Sequence, residues 1–237
     1  MVSRILALIL LTKLFLYTGQ AWALPQCIGT LSIQTWTNCQ GSHTYSDSED
    51  KYIGEFLNNK RHGQGAYYYS SGAKYVGDFK DGEPHGQGSY KHSDEDLYVG
   101  DFRNGEPNGQ GTYTYPNEDK HTGVYLNGKA NGAGVYTHSN GDKYDGNFRN
   151  GKAHGKGTST YSNGDKYVGS FLNGKVHGLG TYTFKSGSTY VGEYKDGERD
   201  GFGKYTYVDG RITEGQWELG NLIPAFASSK PKIGVKP

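Results

Sequence analysis

The chain has 237 residues, of which 38 are glycine and 21 tyrosine, and only 33% belong to the hydrophobic set. That is too little aliphatic bulk to fill the interior of a compact globule of this length, and a 14% aromatic content excludes a disordered chain. A formal net charge of +1, from 25 basic and 24 acidic side chains, argues against a nucleic-acid binder. The glycines do not recur at every third position, which excludes collagen. What remains is a repetitive β structure in which aromatic rings pack on glycine.

The chain opens with Arg4, an apolar run from Ile5 to Leu11 continued by Leu14 to Tyr17, and Ala21-Trp22-Ala23. This order predicts a secretory signal peptide over 1–23, cut after Ala23. The alternative is a retained amphipathic or anchoring helix. Lys13 interrupts the run, so a full membrane span is not expected. The mature protein is expected to be secreted or periplasmic, with peripheral attachment to a membrane surface as the alternative. Cys27 and Cys39, the only cysteines, follow the cut. In an oxidising compartment such a close pair predicts a disulfide, stabilising an N-terminal cap over 24–51 by about 2–3 kcal/mol. A metal pair or redox couple would call for a CxxC spacing that is absent.

From Tyr52 a 23-residue period governs the chain. Tyr52-Ile53-Gly54-Glu55-Phe56 returns around Tyr75 and Phe79, Tyr98 and Phe102, His121 and Tyr125, Tyr144 and Phe148, Tyr167 and Phe171, and Tyr190 and Tyr194. Seven repeats fill 52–212. A half repeat with Trp217 in phase opens the last segment, 213–237, and Gly41, His43 and Tyr45 resemble the second half of a preceding unit. Each repeat carries two turn signals, as in Ser71-Gly72 and Asp81-Gly82, so each should hold two antiparallel strands. No segment shows an apolar 3.6 period, and no helix is expected in the array.

The predicted fold is therefore all-β: one elongated, single-layer antiparallel sheet of two-stranded repeats, twisted and curled, with some fourteen strands. A two-residue turn at Asp81-Gly82 would set Phe79 opposite Pro84, Gly77 opposite Gly86 and Tyr75 opposite Gly88. Rings and glycines then share one face. The opposite face, with Asp78, Lys80 and Gln87, should be solvated.

Tyr-x-Gly-x-Phe, then Asn/Asp-Gly, then Gly-x-Gly-x-x-x-Tyr resembles the MORN repeat (membrane occupation and recognition nexus). The leader and two-cysteine segment look like those of secreted bacterial members. The resemblance implies the single-sheet fold. Family members include membrane-junction proteins, plant phosphatidylinositol phosphate kinases and a lysine methyltransferase, whose repeats accompany a separate catalytic domain. None is expected in this chain.

Catalysis has no footing: there is no G-x-S-x-G, Walker loop or HExxH. No cofactor or metal is expected. His62, His85, His154 and His177 recur at one position, but successive copies lie two strands apart, about 9–10 Å, too far to share an ion; a turn-stabilising polar role is expected. The acidic groups around Asp50, Asp96 and Asp119 could form a weak calcium site, but solvated edge charge is the stronger expectation. Residues 24–120 hold 8 basic and 14 acidic side chains, and 121–237 hold 15 and 10. Arg149, Lys152, Lys156, Lys166, Lys175 and Lys185 are the candidate patch for an anionic partner, against a merely solubilising role. Trp217, Leu219, Leu222, Ile223 and Phe226 are expected to cap the array. The leading function is a non-catalytic interaction scaffold with a protein partner and a capacity for self-association. The alternatives are peripheral binding to anionic phospholipid headgroups through the basic half, or service as an accessory subunit of a separate enzyme.

Overall fold

A computed structural model of the chain describes residues 24–31 and 34–224. The expected leader, and the tail from 225 onward with Phe226, lie outside the described residues. After β1 (Cys39–Thr44) come seven hairpins: β2 (Lys51–Leu57) with β3 (Lys60–Tyr68), β4 (Lys74–Lys80) with β5 (Glu83–Lys91), β6 (Leu97–Arg103) with β7 (Glu106–Thr114), β8 (Lys120–Leu126) with β9 (Lys129–Thr137), β10 (Lys143–Arg149) with β11 (Lys152–Thr160), β12 (Lys166–Leu172) with β13 (Lys175–Thr183), and β14 (Thr189–Lys195) with β15 (Glu198–Thr206). β16 (Ile212–Glu218) and the short β17 (Asn221–Leu222) close the sheet. Each strand pairs with its neighbours in sequence, giving one antiparallel meander of seventeen strands. The three beyond fourteen come from the partial units at the two ends: β1 pairs Gly41 with Gly54, the register that full repeats use for Gly65 and Gly77.

The turns are as their chemistry dictates. Asp81 and Gly82 both have positive φ, 53° and 99°, the type I′ geometry whose twist matches a hairpin. The register beyond that turn differs from the simple count. Phe79 does face Pro84, but Gly77 faces Gly88 and Tyr75 faces Tyr90. Between them Asp78 stands against three residues, His85-Gly86-Gln87, in a β-bulge that adds two residues to the second strand. Gly86 takes the bulge's left-handed conformation, φ 65°, where the Asp78 carboxylate accepts from the Gln87 N–H at 2.9 Å. A slip of one residue would exchange the two faces; a shift of two preserves them. Tyrosines and glycines therefore share a face, as the sequence implies, although the pairs are different.

That face is the core. Tyr52, Tyr75, Tyr167 and Tyr190 are completely buried, and Phe56, Phe79, Phe102, Phe148 and Phe171 nearly so. Each tyrosine ring lies flat across the glycine pair beside it, and its hydroxyl donates to the backbone carbonyl three residues on, as Tyr75 does to Asp78 at 2.8 Å. The rings also touch one another edge to face in an unbroken file: Trp36, Phe56, Tyr52, Phe79, Tyr75, Phe102, Tyr98, Tyr125, His121, Phe148, Tyr144, Phe171, Tyr167, Tyr194, Tyr190, Trp217. Neighbouring rings in such a file gain from quadrupole alignment beyond the area they bury. One sheet thus holds a core without a second layer, because the rings supply the layer.

Tryptophans end the file. Trp217, buried on Tyr190, donates its indole N–H to the Gly203 carbonyl at 3.1 Å. Leu222 on the last short strand pairs opposite Trp217, while Leu219 in the turn before it is 71% exposed. At the other end Trp36 packs on Phe56 and is fixed by a donor bond to the Ile28 carbonyl. The Cys27–Cys39 disulfide ties this cap to β1, and Gln40 bonds both Pro25 and Cys27 through its backbone.

Candidate interaction surface

The edge of the sheet opposite the type I′ turns is held by aspartates. Asp50 accepts from the Tyr67 hydroxyl at 2.7 Å and from the Ser70 N–H at 2.8 Å, so that it joins one repeat to the next. Asp119 does the same with Tyr136 and Ser139, and Asp165 with Tyr182 and Lys185. These donors hold the Asp50 and Asp165 carboxyls below the usual range and bring Asp119 down to about 2. One aspartate in each acidic loop, Asp50, Asp96 or Asp119, is thus an inter-repeat latch, while Asp47, Glu49, Asp94, Glu95 and Glu118 stay exposed. No group of three His, Cys, Asp or Glu suited to a metal ion occurs among the described residues.

The recurrent histidines sit in the β-bulge, not at a turn. His62 offers its backbone carbonyl to the Tyr52 hydroxyl at 3.3 Å. The ring Nδ1 atoms of His62, His154 and His177 are buried without a hydrogen-bond partner, so these rings act by packing, not by polar stabilisation of a turn.

Repeat four departs from the rest. His121 replaces the core tyrosine, is 2% exposed, and shares a 2.7 Å hydrogen bond between Nδ1 and the Tyr125 hydroxyl, while Nε2 has no partner. Burial lowers its pKa from 6.5 to about 4. Because the unfolded chain takes up this proton first as pH falls, stability is fully present above 6.5 and is lost on descending toward 4. Between pH 7.5 and 5 that loss should be about 2 kcal/mol. Urea titrations at the two pH values check it. His121→Tyr, which installs the side chain of the other repeats, should remove this component, and an unchanged pH slope in that variant would exclude His121 as its source.

The six basic residues do not form one cluster. Arg149 and Lys152 face each other across a type I′ turn, with Lys175 at the same edge. Lys166 begins its strand at the other edge, and Lys185 lies beyond it in the neighbouring loop. A seven-residue strand, about 23 Å, separates the two edges. Lys156 stands between them on the non-aromatic face, donating to Ser170 at 2.9 Å.

That non-aromatic face is not uniformly polar. In the N-terminal half it presents Gln64, Gln87 and Gln110 between the glycines. In the C-terminal half the same position becomes Leu179 and Phe202, 65% and 54% exposed, beside Val168 and Val191. These side chains line a shallow open groove of about 830 Å³ whose floor is glycine backbone and whose rim carries Lys156, Lys204, Glu193 and Glu214. Leucine and phenylalanine at a nominally polar repeat position are the sequence signal for it.

An open antiparallel meander of hairpin repeats defines a tandem β-repeat protein. Residues 52–74, 75–96, 98–120, 121–143, 144–166, 167–189 and 190–210 each match the MORN repeat, and the chain belongs to the MORN-repeat family. Repeats of this kind build a surface for binding or scaffolding. No curated protein sequence matches the chain significantly. Among solved structures it is similar to the TCP domain of SAS-4 (dCPAP) of Drosophila melanogaster, in complex with a proline-rich motif of Ana2, at 13% identity over 76% of this chain and 90% of that one, TM-score 0.42. It is also similar to the TCP10 domain of Danio rerio CPAP, in complex with a STIL peptide, at 11% identity over 72% and 80%, TM-score 0.43. The disulfide suits an oxidising compartment.

Proposed function

We propose that this chain is an exported, non-catalytic scaffold that docks a protein partner along its sheet. In this reading residues 1–23 are a cleaved leader, 24–51 the disulfide-bonded cap, 52–212 the array and 213–237 its closing segment. The observation that carries it is the exposed apolar strip Val168, Leu179, Val191 and Phe202, lying over bare backbone where leucine and phenylalanine replace the glutamines of the N-terminal repeats. Contiguous apolar exposure rimmed by charge is the signature of a binding surface. Headgroup binding is the weaker reading, because the six cations are divided between two edges and a face and cannot meet one flat membrane together.

The test uses the oxidised, exported protein. Leu179→Glu with Phe202→Glu changes two exposed side chains and should leave the melting temperature within about 2 °C. It should abolish co-purification of a specific partner from the compartment in which the protein resides. Lys152, Lys166 and Lys175, which lie outside the groove, all changed to Gln should leave that partner bound. Loss of binding in the lysine variant alone, together with salt-sensitive pelleting of the wild type on anionic vesicles, would favour the membrane reading instead.

A further inference from the structure

On the aromatic face one position, two residues before the bulge glycine, is occupied in turn by Arg61, Pro84, Pro107, Ala130, Ala153, Val176 and Arg199. The two arginines share the bond to the turn carbonyl and the ring at the Phe79 position, Trp217 for Arg199, but Arg61 stacks mainly on Tyr67 and Arg199 mainly on Trp217. The Arg61 guanidinium lies 4.5 Å over the Tyr67 ring, 5.6 Å from Tyr45 and 6.0 Å from Phe79, and its Nε donates to the Gly82 carbonyl at 2.9 Å. Arg199 lies 4.3 Å over Trp217 and 5.4 Å from Tyr190, and donates to the Gly220 carbonyl at 2.7 Å. Each repeat position that holds arginine is therefore a site for a planar cation, built from ring faces and one turn carbonyl.

Repeat four keeps the site and lacks the cation. The residues equivalent to Tyr45, Tyr67, Phe79 and Gly82 are Tyr115, Tyr136, Phe148 and Gly151, and they line a cavity of about 260 Å³ above Ala130. The turn is placed in the same way in both repeats, since Gly82 N–H donates to Arg61 and Gly151 N–H to Ala130, each at 2.9 Å. Among the described residues no side chain donates to the Gly151 carbonyl. Asp119 stands beneath Tyr136 as Asp50 stands beneath Tyr67, and its carboxylate also faces His138 Nδ1 at 3.3 Å, where repeat one has Tyr69. The neighbouring repeats do not repeat this: Pro84, Pro107 and Val176 put bulk in the space, and at Ala153 the tyrosine is replaced by Ser159.

We infer that the cavity above Ala130 is a guanidinium site, filled by an arginine side chain of a partner protein in the way that Arg61 and Arg199 fill its counterparts. It lies on the face opposite the Leu179–Phe202 groove, so the two surfaces can be tested separately. The rings supply cation–π faces, the Gly151 carbonyl accepts the fork, and Asp119 offsets the charge. Guanidinium is favoured over ammonium because a planar fork can stack on Tyr136 while bonding the carbonyl in its own plane.

The probes are methylguanidinium and three acetylated, amidated tripeptides, Gly-Arg-Gly and its lysine and citrulline counterparts, followed by calorimetry and by tyrosine-ring NMR shifts. The arginine peptide should bind the full protein with a dissociation constant on the order of 1 mM, a single side chain's worth of affinity. Methylguanidinium should compete with it, and the citrulline peptide should not bind. Ala130→Arg, which places in repeat four the residue of repeats one and seven, should weaken binding at least about tenfold with the circular dichroism unchanged. Tyr115→Leu keeps bulk but removes one ring, and should weaken binding several-fold even if Ala130→Arg fails to fold. Equal binding of arginine and citrulline peptides, equal binding of arginine and lysine, wild-type affinity in the Tyr115→Leu variant, or absence of binding would each overturn the assignment. Binding of methylguanidinium without the arginine peptide would overturn the partner-side-chain source. Survival of arginine-peptide binding in the Leu179→Glu, Phe202→Glu variant is expected, and its loss would show the two faces are not independent.

Discussion

Phe102→Ala should cost about 3–5 kcal/mol, the range for removing a buried phenyl ring. The ring is 4% exposed and touches Tyr75 at 4.9 Å and Tyr98 at 5.1 Å between centroids, so it joins two repeats in the aromatic file. In a globule, neighbours could collapse into the gap from several sides. Here there is one layer, and the rings on either side are pinned by their hydroxyls to the Asp78 and Asp101 carbonyls. The cavity cannot relax along the file without breaking those bonds. Lys80→Ala, on an exposed strand end, should cost under about 0.5 kcal/mol. Chemical denaturation of both variants makes the comparison, and equal losses would mean that the two faces have been exchanged.

The sheet itself could be read in the sequence because a 23-residue period with two turn dipeptides leaves only two strands per unit, and alternation then assigns the faces. Tyrosine at one end of Tyr-x-Gly-x-Phe and bare glycines two and eleven or thirteen residues on already imply a ring over backbone. The bulge was not legible. Nothing in His85-Gly86-Gln87 distinguishes a glycine in a regular strand from one at φ 65°, since only the count of residues between Phe79 and Tyr90 reveals the two extra. Trp36 escaped because it lies outside the period and reaches Phe56 through a loop. The aspartate latches escaped for another reason: the carboxylate and its donor partners are 17 and 20 residues apart, and only the folded register brings them together. The guanidinium site was hidden by its own variability, with four residue types at one position, and becomes visible when the occupied copies are compared with the open one.

Gly88→Ala should be as damaging as a large truncation while adding only one methyl group. An alanine Cβ at this position would stand 2.6 Å from Cε2 and Cζ of the Tyr75 ring, well inside contact distance. Tyr75 cannot swing aside, because it is completely buried, packed between Phe79 and Phe102, and bonded to the Asp78 carbonyl. The backbone cannot yield toward the opposite face either, since Gly77 and Gly88 are paired in the ladder and flanked by the bulge. Overpacking a site of this kind costs about 1–3 kcal/mol or more, and lifting the ring would also break its hydroxyl bond, about 1 kcal/mol further. The same substitution at Gly82, where a Cβ would meet nothing within 4 Å, carries only the strain of its positive φ. The expected order of melting temperatures is therefore wild type, then Gly82→Ala, then Gly88→Ala. Tyr75→Leu with Gly88→Ala supplies the decisive control: if the ring is the obstacle, the second substitution should cost less in the leucine background than in the tyrosine one. A double-mutant cycle with no such coupling would mean that the glycine is required by its backbone and not by the ring above it.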